Sequence, residues 1–196
     1  MNAKRVYVQT ARAAAAAETR QRILDATVAL VLRQLSMEIV LNDVAESAGV
    51  SVQTVLRHFG SRDGLFEAAA THAVQQVATE RRAPVGDIAA AVRTLFDHYE
   101  RWGEVMLRLL AQETRDPKAH TVTQQGREVH RDWVGEVFAP MLAARSPDAR
   151  ETALDLLVIA TDLYTWKLLT RDRRLPREQA EARVRHLITA ILGGAR

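Results

Sequence analysis

Two short apolar-patterned runs joined by a single glycine, in the stretch VAESAGVSVQTVLRHFG at residues 44–60, restrict the fold of this chain more than any other feature. Glycine reaches the left-handed backbone conformation at the least cost, so Gly49 is expected to end the first helix. The pattern resumes at once, and the hydroxyl group of Ser51 is well suited to cap a second helix. The flanking residues must therefore decide between an ordinary helical corner and two helices held at a defined angle.

The residue types around this turn satisfy the steric needs of two helices that cross closely. The position facing the crossing must be small, and Ala45 occupies it, four residues before Gly49. Val50 is expected to fill the space under the turn. The apolar positions that would complete the interface are Val44, Ala48 and Val55. The pattern predicts a helix-turn-helix, with a purely structural corner as the alternative.

Polar side chains occupy the outer side and the leading end of the second helix. A helix that docks in the major groove of DNA presents these positions to base edges and phosphates. In such a complex Gln53 can pair with adenine, and Arg57 with guanine or with a phosphate. The candidate DNA-binding residues are Asn42, Ser51, Val52, Gln53, Thr54, Arg57, His58 and Arg62.

The wider stretch LNDVAESAGVSVQTVLRHFGSRDGLFEAA, residues 41–69, resembles the DNA-binding signature of the tetracycline-repressor (TetR) family of bacterial transcriptional regulators. The resemblance extends back through TRQRILDATVALV, similar to the first helix of that family, and covers about residues 18–70. Residues that agree with the signature are Val50, Ser51, Thr54, His58 and Phe59. The resemblance implies an N-terminal DNA-binding head and a helical domain that dimerises and holds a small-molecule pocket.

Three residues depart from that signature. Leu56 stands where the family usually has a tyrosine, so a common contact to DNA is missing. Gly60 replaces a residue that is often basic, and Val40 stands where a threonine or serine usually caps the second helix. The operator sequence is therefore not transferable by analogy.

Good helix formers dominate the chain and no stretch alternates as a strand would, so we expect an all-α fold. Glycines and prolines divide the chain into about nine helices, predicted at residues 18–35, 41–48, 51–58, 62–81, 86–101, 104–114, 118–143, 148–171 and 176–193. We predict three regions: a basic N-terminal arm at 1–17, a three-helix DNA-binding domain at 18–83, and a larger helical domain for effector binding and dimerisation at 84–196.

The composition limits the classes of protein and site that remain open. No apolar run reaches the length of a membrane span, and the absence of cysteine excludes disulfides and thiolate sites. The N-terminus lacks the hydrophobic region of a secretory signal, so the expected compartment is the cytoplasm. Residues 1–22 carry five basic side chains against one acidic side chain, which suits either a contact with phosphates or a solvated tail.

The C-terminal half carries two further patterns. Apolar stripes at helical spacing occur at Leu154, Leu157, Val158 and Thr161 and at Val184, Leu187, Ile188 and Ile191. Paired across a two-fold axis, these stripes would form the four-helix bundle of a homodimer, or they pack inside the monomer. The aromatic residues of this half, with a methionine and a histidine, either line an apolar pocket or fill a core. The candidate ligand-binding residues are Phe96, Tyr99, Trp102, Met106, His130, Trp133 and Trp166.

Neither a nucleophile elbow nor a nucleotide-binding loop occurs, and the histidines lack close metal-ligand spacing, so we expect no catalytic residues, no cofactor and no metal. The sequence predicts a ligand-responsive repressor that binds a palindromic operator in double-stranded DNA as a homodimer. A small, largely apolar effector would release it. The alternative is a helical protein-binding adaptor with a weakened DNA head, for which Leu56 is the only support.

Overall fold

The computed structural model describes residues 3–34 and 39–194, with side chains from Arg12 onward except that of Lys118. All secondary structure in these ranges is helical, which confirms the all-α fold class. The elements are α1 (Ala3–Gln34), α2 (Leu41–Ala48), α3 (Val52–Phe59), α4 (Arg62–Glu80), α5 (Ile88–Gln112), α6 (Pro117–Val137), α7 (Ala139–Ala143), α8 (Pro147–Ala160), α9 (Leu163–Lys167), a π-helical turn (Leu168–Asp172) and α10 (Arg177–Gly194).

Three predicted helix boundaries were wrong. Helix α1 begins at Ala3 rather than near residue 18, because the alanine-rich run has high helix propensity and continues the helix. The side chains of Lys4 and Arg5, which the predicted basic arm includes, lie outside the described residues. The predicted helix at 148–171 is divided, because the side chain of Asp162 accepts a hydrogen bond from the backbone N–H of Tyr164 (2.7 Å) and starts α9 anew.

The third correction concerns Gly103, where a helix end was predicted. Helix α5 runs through this glycine without a break. A β-carbon at Gly103 would lie 2.8 Å from Cζ3 of Trp166, so the glycine allows the tryptophan ring to approach the helix backbone. The stretch 118–143 is interrupted near Pro140, since α6 ends at Val137 and Pro140 lies in the first turn of α7.

The chain forms two compact units, residues 1–76 and 77–196. The division falls within α4, so this helix is the covalent connection between them. The predicted domain limits at residues 17 and 83 stay predictions.

The N-terminal unit has its own apolar core. Helix α1 packs on α2, and α2 packs on α3. The fully buried side chains of this core are Ile23, Ile39, Val44, Val55 and Leu65. Because the short helices α2 and α3 both contribute to it, the core fixes the angle between them.

The C-terminal unit is built around α5, which packs against α6, α9 and α10, while α8 packs against α6 and α10. Its core includes Phe96, Phe138, Leu157, Trp166 and Ile188. No helix in the described part of the chain combines the length and apolar character needed to cross a membrane.

The two apolar stripes predicted for dimerisation mostly face this core. Leu157, Thr161, Val184 and Ile188 are buried within the unit, so the alternative of packing inside the monomer holds for them. Of the predicted positions, Leu187 is exposed on α10. Leu156 and Ile159 of α8 are exposed as well, and Ile159 keeps 62% of its surface accessible. The outward apolar positions therefore lie beside the predicted stripe on α8.

Candidate functional site

The turn between α2 and α3 has the predicted backbone conformation. Gly49 adopts a left-handed conformation with φ 65° and ψ 39°, and its N–H donates to the carbonyl groups of Ala45 and Glu46. The N–H of Val50 also donates to the Ala45 carbonyl, at 2.9 Å. A β-carbon at Gly49 would have no atom within 4 Å, so glycine is required here for its backbone dihedral and not for space.

Ser51 caps α3 as predicted. Its hydroxyl oxygen accepts a hydrogen bond from the backbone N–H of Thr54 at 3.1 Å and lies 3.0 Å from the Thr54 hydroxyl. Both of these candidate DNA-binding residues thus take part in the cap. Helix α2, in contrast, begins after Val40 without a side-chain cap.

The outer face of α3 brings three side chains together. Gln53, Leu56 and Arg57 are exposed and follow the spacing of one helix face. Val52 is half-buried against the apolar core of the N-terminal unit, and His58 is half-buried, so these two candidates are less accessible. Asn42 is exposed on α2. The accessible polar groups of the predicted set on α3 are therefore concentrated at Gln53 and Arg57.

The turn after α3 explains Gly60, which departs from the family pattern. Gly60 has φ 76° and ψ −48°, and the N–H of Ser61 donates to the carbonyl of Phe59 at 2.9 Å across it. This three-residue γ-turn is strained for a residue with a side chain, so a basic residue at Gly60 would carry that strain. A β-carbon at Gly64 would lie 2.4 Å from the Phe59 carbonyl oxygen, so α4 begins in close contact with the end of α3.

Two arginines hold the ends of these helices. Arg62, a candidate DNA-binding residue, donates from Nε to the carbonyl of Ile39 (3.1 Å), and its guanidinium lies 4.7 Å from the Phe66 ring centre. These contacts join the start of α4 to the segment before α2. The guanidinium of Arg20 on α1 lies 5.1 Å from the ring centre of Phe59, at the end of α3, and was not among the predicted residues.

The candidate ligand-binding residues meet inside the C-terminal unit. All except half-buried Met106 are buried. The ring centres of Tyr99 and Trp166 are 5.8 Å apart, and those of His130 and Trp133 are stacked at 6.0 Å. Phe96, Tyr99, Trp133 and Trp166 belong to one apolar core, and Met106 packs against it.

A buried polar chain starts at Arg81, a residue that sequence reasoning missed, and runs along this core. Nη2 of Arg81 lies 2.7 Å from Nδ1 of His130, whose Nε2 lies 3.1 Å from the hydroxyl of Thr161. The Tyr99 hydroxyl donates to the carbonyl of Thr161 (2.9 Å), and Nε1 of Trp133 donates to the carbonyl of Arg81 (2.6 Å). The Arg81 guanidinium also lies 4.4 Å from the Trp133 ring centre, in a cation–π contact. The ring centre of His98 lies 5.4 Å from that of Tyr99. We call Arg81, His98, Tyr99, His130, Trp133 and Thr161 the buried polar cluster.

Burial decides the protonation states in this cluster. It lowers the pKa of His98 and of His130 to about 3, with the charge of Arg81 as the next contribution to each. Both imidazoles are therefore neutral near pH 7. Since an arginine can only donate, Nδ1 of His130 accepts, and its proton lies on Nε2 facing Thr161.

The sequence carries one signal that could have found this cluster, since His98 and His130 fall at apolar positions of their helices. Arg81 carries no such signal, because it lies in a charged run, ERRAP, that reads as a solvated loop. Across the part of the chain that the structure describes, no three His, Asp or Glu side chains are grouped to hold a metal ion.

Comparisons with known proteins find similarity both in the segment around the turn and in the fold of the whole chain. Residues 23–69 match the model of bacterial regulatory proteins of the tetR family. No curated protein matches the chain. A solved transcriptional regulator from Rhodococcus sp. Rha1 is 22% identical, with a TM-score of 0.66 over 90% of this chain and 97% of that one. A solved tetR-family transcriptional regulator from Streptomyces coelicolor is 20% identical, with a TM-score of 0.65 over 90% of this chain and 81% of that one.

These findings agree with the geometry of the N-terminal unit. The matched residues contain α2, the Gly49 turn and α3, so the predicted helix-turn-helix lies within the segment that is similar to tetR-family regulators. The two solved regulators share the all-helical fold over most of both chains. Over residues 23–69 this chain is thus similar to the tetR family of bacterial regulatory proteins.

Proposed function

We propose that this protein is a ligand-responsive repressor, binding rather than catalytic in its activity, that recognises a palindromic operator as a homodimer. The observation that carries the proposal is the exposed face of α3, where Gln53 and Arg57 project beside a turn held by Gly49 and Ser51. Glutamine and arginine are the side chains that pair with adenine and guanine edges in the major groove. Basic residues of α1, including exposed Arg12 and Arg22, would add phosphate contacts.

A homodimer suits this head because one recognition helix reads only a few base pairs. The exposed apolar side chains Leu156 and Ile159 on α8 and Leu187 on α10 support such an interface. Helices α8 and α10 pack against each other within the chain. A two-fold axis through this pair would bury the same patch on both copies and form a four-helix bundle.

The proposed effector binds in the C-terminal unit, at the buried polar cluster and the aromatic rings around it. Helix α4 connects the two units through the chain, and Arg81 follows its last residue directly. Effector binding would therefore act at the end of the connecting helix. It releases DNA only if the effector has different affinities for the DNA-bound and free arrangements of the dimer.

The test of DNA recognition is selection of sheared genomic DNA on the full-length protein at moderate salt, followed by footprinting of enriched fragments. We expect a palindrome with half-sites about one helical turn apart. Uniform retention that disappears as the salt concentration rises would show phosphate binding alone and favour the adaptor alternative.

The dimer is tested separately by sedimentation of Ile159→Asp. A buried aspartate at a symmetric interface would be unpaired on both copies, so this variant should sediment as a monomer with an unchanged helical spectrum. Val85→Asp is the matched control, since Val85 is similarly exposed in the same unit (55% against 62% for Ile159) but lies outside α8 and α10. A dimeric I159D would contradict the proposed interface.

A further inference from the structure

The arginine of the buried polar cluster lacks the partner that buried arginines ordinarily have. Arg81 keeps only 4% of its surface accessible, yet within the described residues no carboxylate pairs with it. Its charge is met by the neutral ring of His130 and the face of Trp133. Burial accordingly lowers the pKa of Arg81, and taking an unpaired cation out of water is costly.

The neighbouring carboxylate is engaged elsewhere. Glu80, next to Arg81 in the chain, forms an ion pair with Arg101 at 2.7 Å and accepts a hydrogen bond from Nε1 of Trp102 at 2.9 Å. Arg177 shows what a compensated arginine looks like in this protein. Its guanidinium lies within 2.7 Å of carboxylate oxygens on Asp97, Glu100 and Glu181.

Two buried nitrogen atoms of the cluster are also without partners. Nε of Arg81 and Nδ1 of His98 are inaccessible and form no hydrogen bond in the described part of the chain. Buried polar atoms in native proteins nearly always have a partner, so these two nitrogens call for an acceptor that the described part of the chain does not supply. Because the imidazole of His98 is neutral, its proton can sit on Nδ1 and be donated.

We propose that the effector is a monocarboxylate with an apolar body, and that its carboxylate binds Nε of Arg81 and Nδ1 of His98. This inference rests on the proposed effector response and names its ligand class. A carboxylate supplies the acceptor oxygens and the negative charge that both nitrogens and the buried cation lack. A single acid group suffices, since the two histidines are uncharged.

The surroundings select the remainder of the ligand. The rings of Tyr99, Trp102 and Trp133 contact members of the cluster, and they favour an aromatic or aliphatic body over a polar one. The prediction of a largely apolar effector is thereby refined, because the structure assigns it one anionic end.

The experiment uses the full-length protein with a panel of benzoate, phenylacetate and octanoate, each compared with its uncharged primary amide at equal ionic strength. Binding is followed by the melting temperature and by tryptophan fluorescence, since all three tryptophans belong to the C-terminal unit. We expect saturable binding of at least one carboxylate at millimolar concentration or below, with no response to its amide.

The variants separate a ligand contact from a structural role. Arg81→Met should weaken binding of the responding carboxylate by about 10- to 100-fold, as expected for loss of hydrogen bonds to a charged group. Arg81→Lys should retain part of the affinity, because the charge remains. Arg108→Met, which removes an exposed arginine from α5, is the control for net charge and should bind as the wild type does.

The inference is overturned if no carboxylate of the panel binds, if the amides bind equally well, or if R81M binds carboxylates as tightly as R108M. A melting temperature measured without ligand shows whether R81M folds. If R81M does not fold, the carboxylate affinity of R81K is compared with that of R108M instead, and equal affinities would overturn the inference. Selection of DNA fragments is independent of this outcome. Intact operator binding without a carboxylate response refutes only this inference, whereas carboxylate binding without operator recognition refutes the proposed repressor.

Discussion

The α2–α3 turn and the buried polar cluster are both candidate sites, but they are assembled over very different distances along the chain. The hydrogen bonds that shape the turn join residues three to five positions apart, such as Val50 to Ala45 and Thr54 to Ser51. The cluster joins residues 49 positions apart at Arg81 and His130, and 62 positions apart at Tyr99 and Thr161. A site made of local contacts can be read from spacing, whereas a site made of distant contacts depends on how whole helices pack.

The strongest test of how much the buried polar cluster contributes to stability is Trp133→Ala. The change removes the ring that lies against Arg81 and His130 and the hydrogen bond from Nε1 to the Arg81 carbonyl. We expect the free energy of unfolding to fall by about 3–5 kcal/mol, the usual range for deleting a buried aromatic side chain. Urea unfolding monitored by circular dichroism measures it. A loss below about 0.5 kcal/mol, within the range of ordinary surface changes, would show that the cluster contributes little to stability.

The histidines of the buried polar cluster predict that the stability of the protein depends on pH. His98 and His130 have folded-state pKa values of about 3, below the ordinary value of 6.5. Between these values the unfolded chain binds protons that the folded chain does not. The free energy of unfolding should therefore decrease as the pH falls from 6.5 towards 3, by about 1.4 kcal/mol per pH unit for each histidine.

The variant His98→Gln isolates this contribution, since glutamine does not titrate. Its free energy of unfolding should depend on pH less steeply than that of the wild type. The two slopes should differ by up to about 1.4 kcal/mol per pH unit, the value for one proton. His186→Gln, at an exposed position of α10, is the matched control. Equal slopes for wild type and H98Q would mean that His98 titrates alike in the folded and unfolded chains.

For the exposed face of α3, Gln53→Ala and Arg57→Ala should each weaken binding to the selected operator by about 1–3 kcal/mol. Both side chains are exposed, so the melting temperature should change little. Gel shifts against operator and random DNA separate the two kinds of contact. An equal loss on random DNA would indicate phosphate contacts instead of base recognition.

The smallest effect tests the turn itself through two glycines. Gly49→Ala places a β-carbon at φ 65° and should destabilise the protein by about 1 kcal/mol, although no atom lies within 4 Å of it. Gly126→Ala, at an exposed position within α6 with equally open space, should stabilise it by about 0.5–1 kcal/mol. Opposite signs would show that the backbone dihedral, and not crowding, makes glycine necessary at position 49.

Much of the fold was predictable because the ends of a helix depend on a few residues that are neighbours in the sequence. The turn at Gly49, the cap at Ser51 and the interruption near Pro140 all follow from local backbone preferences. Gly103 shows where this reasoning stops. The same residue type that ends a helix at one position lies inside α5 at another, because Trp166, 63 residues later, packs against it.

The dimerisation stripes show the same limit in another form. Periodicity indicates that Leu157 and Ile188 are apolar positions of their helices, but it does not state what each face meets. Packing of α8 on α6 and α10 buries that stripe within the unit and leaves Leu156 and Ile159 outside.

The sequence by itself determined the helical class of this protein, the helix-turn-helix and the polar face of α3, since each depends on residues within one or two helical turns. Tertiary structure alone decided that Arg81, in a charged run that reads as solvated, is buried against His130 and Trp133 with no carboxylate partner among the described residues. The physical reason is that burial and charge compensation depend on which helices pack together, and the residues next to Arg81 in the chain do not indicate that packing.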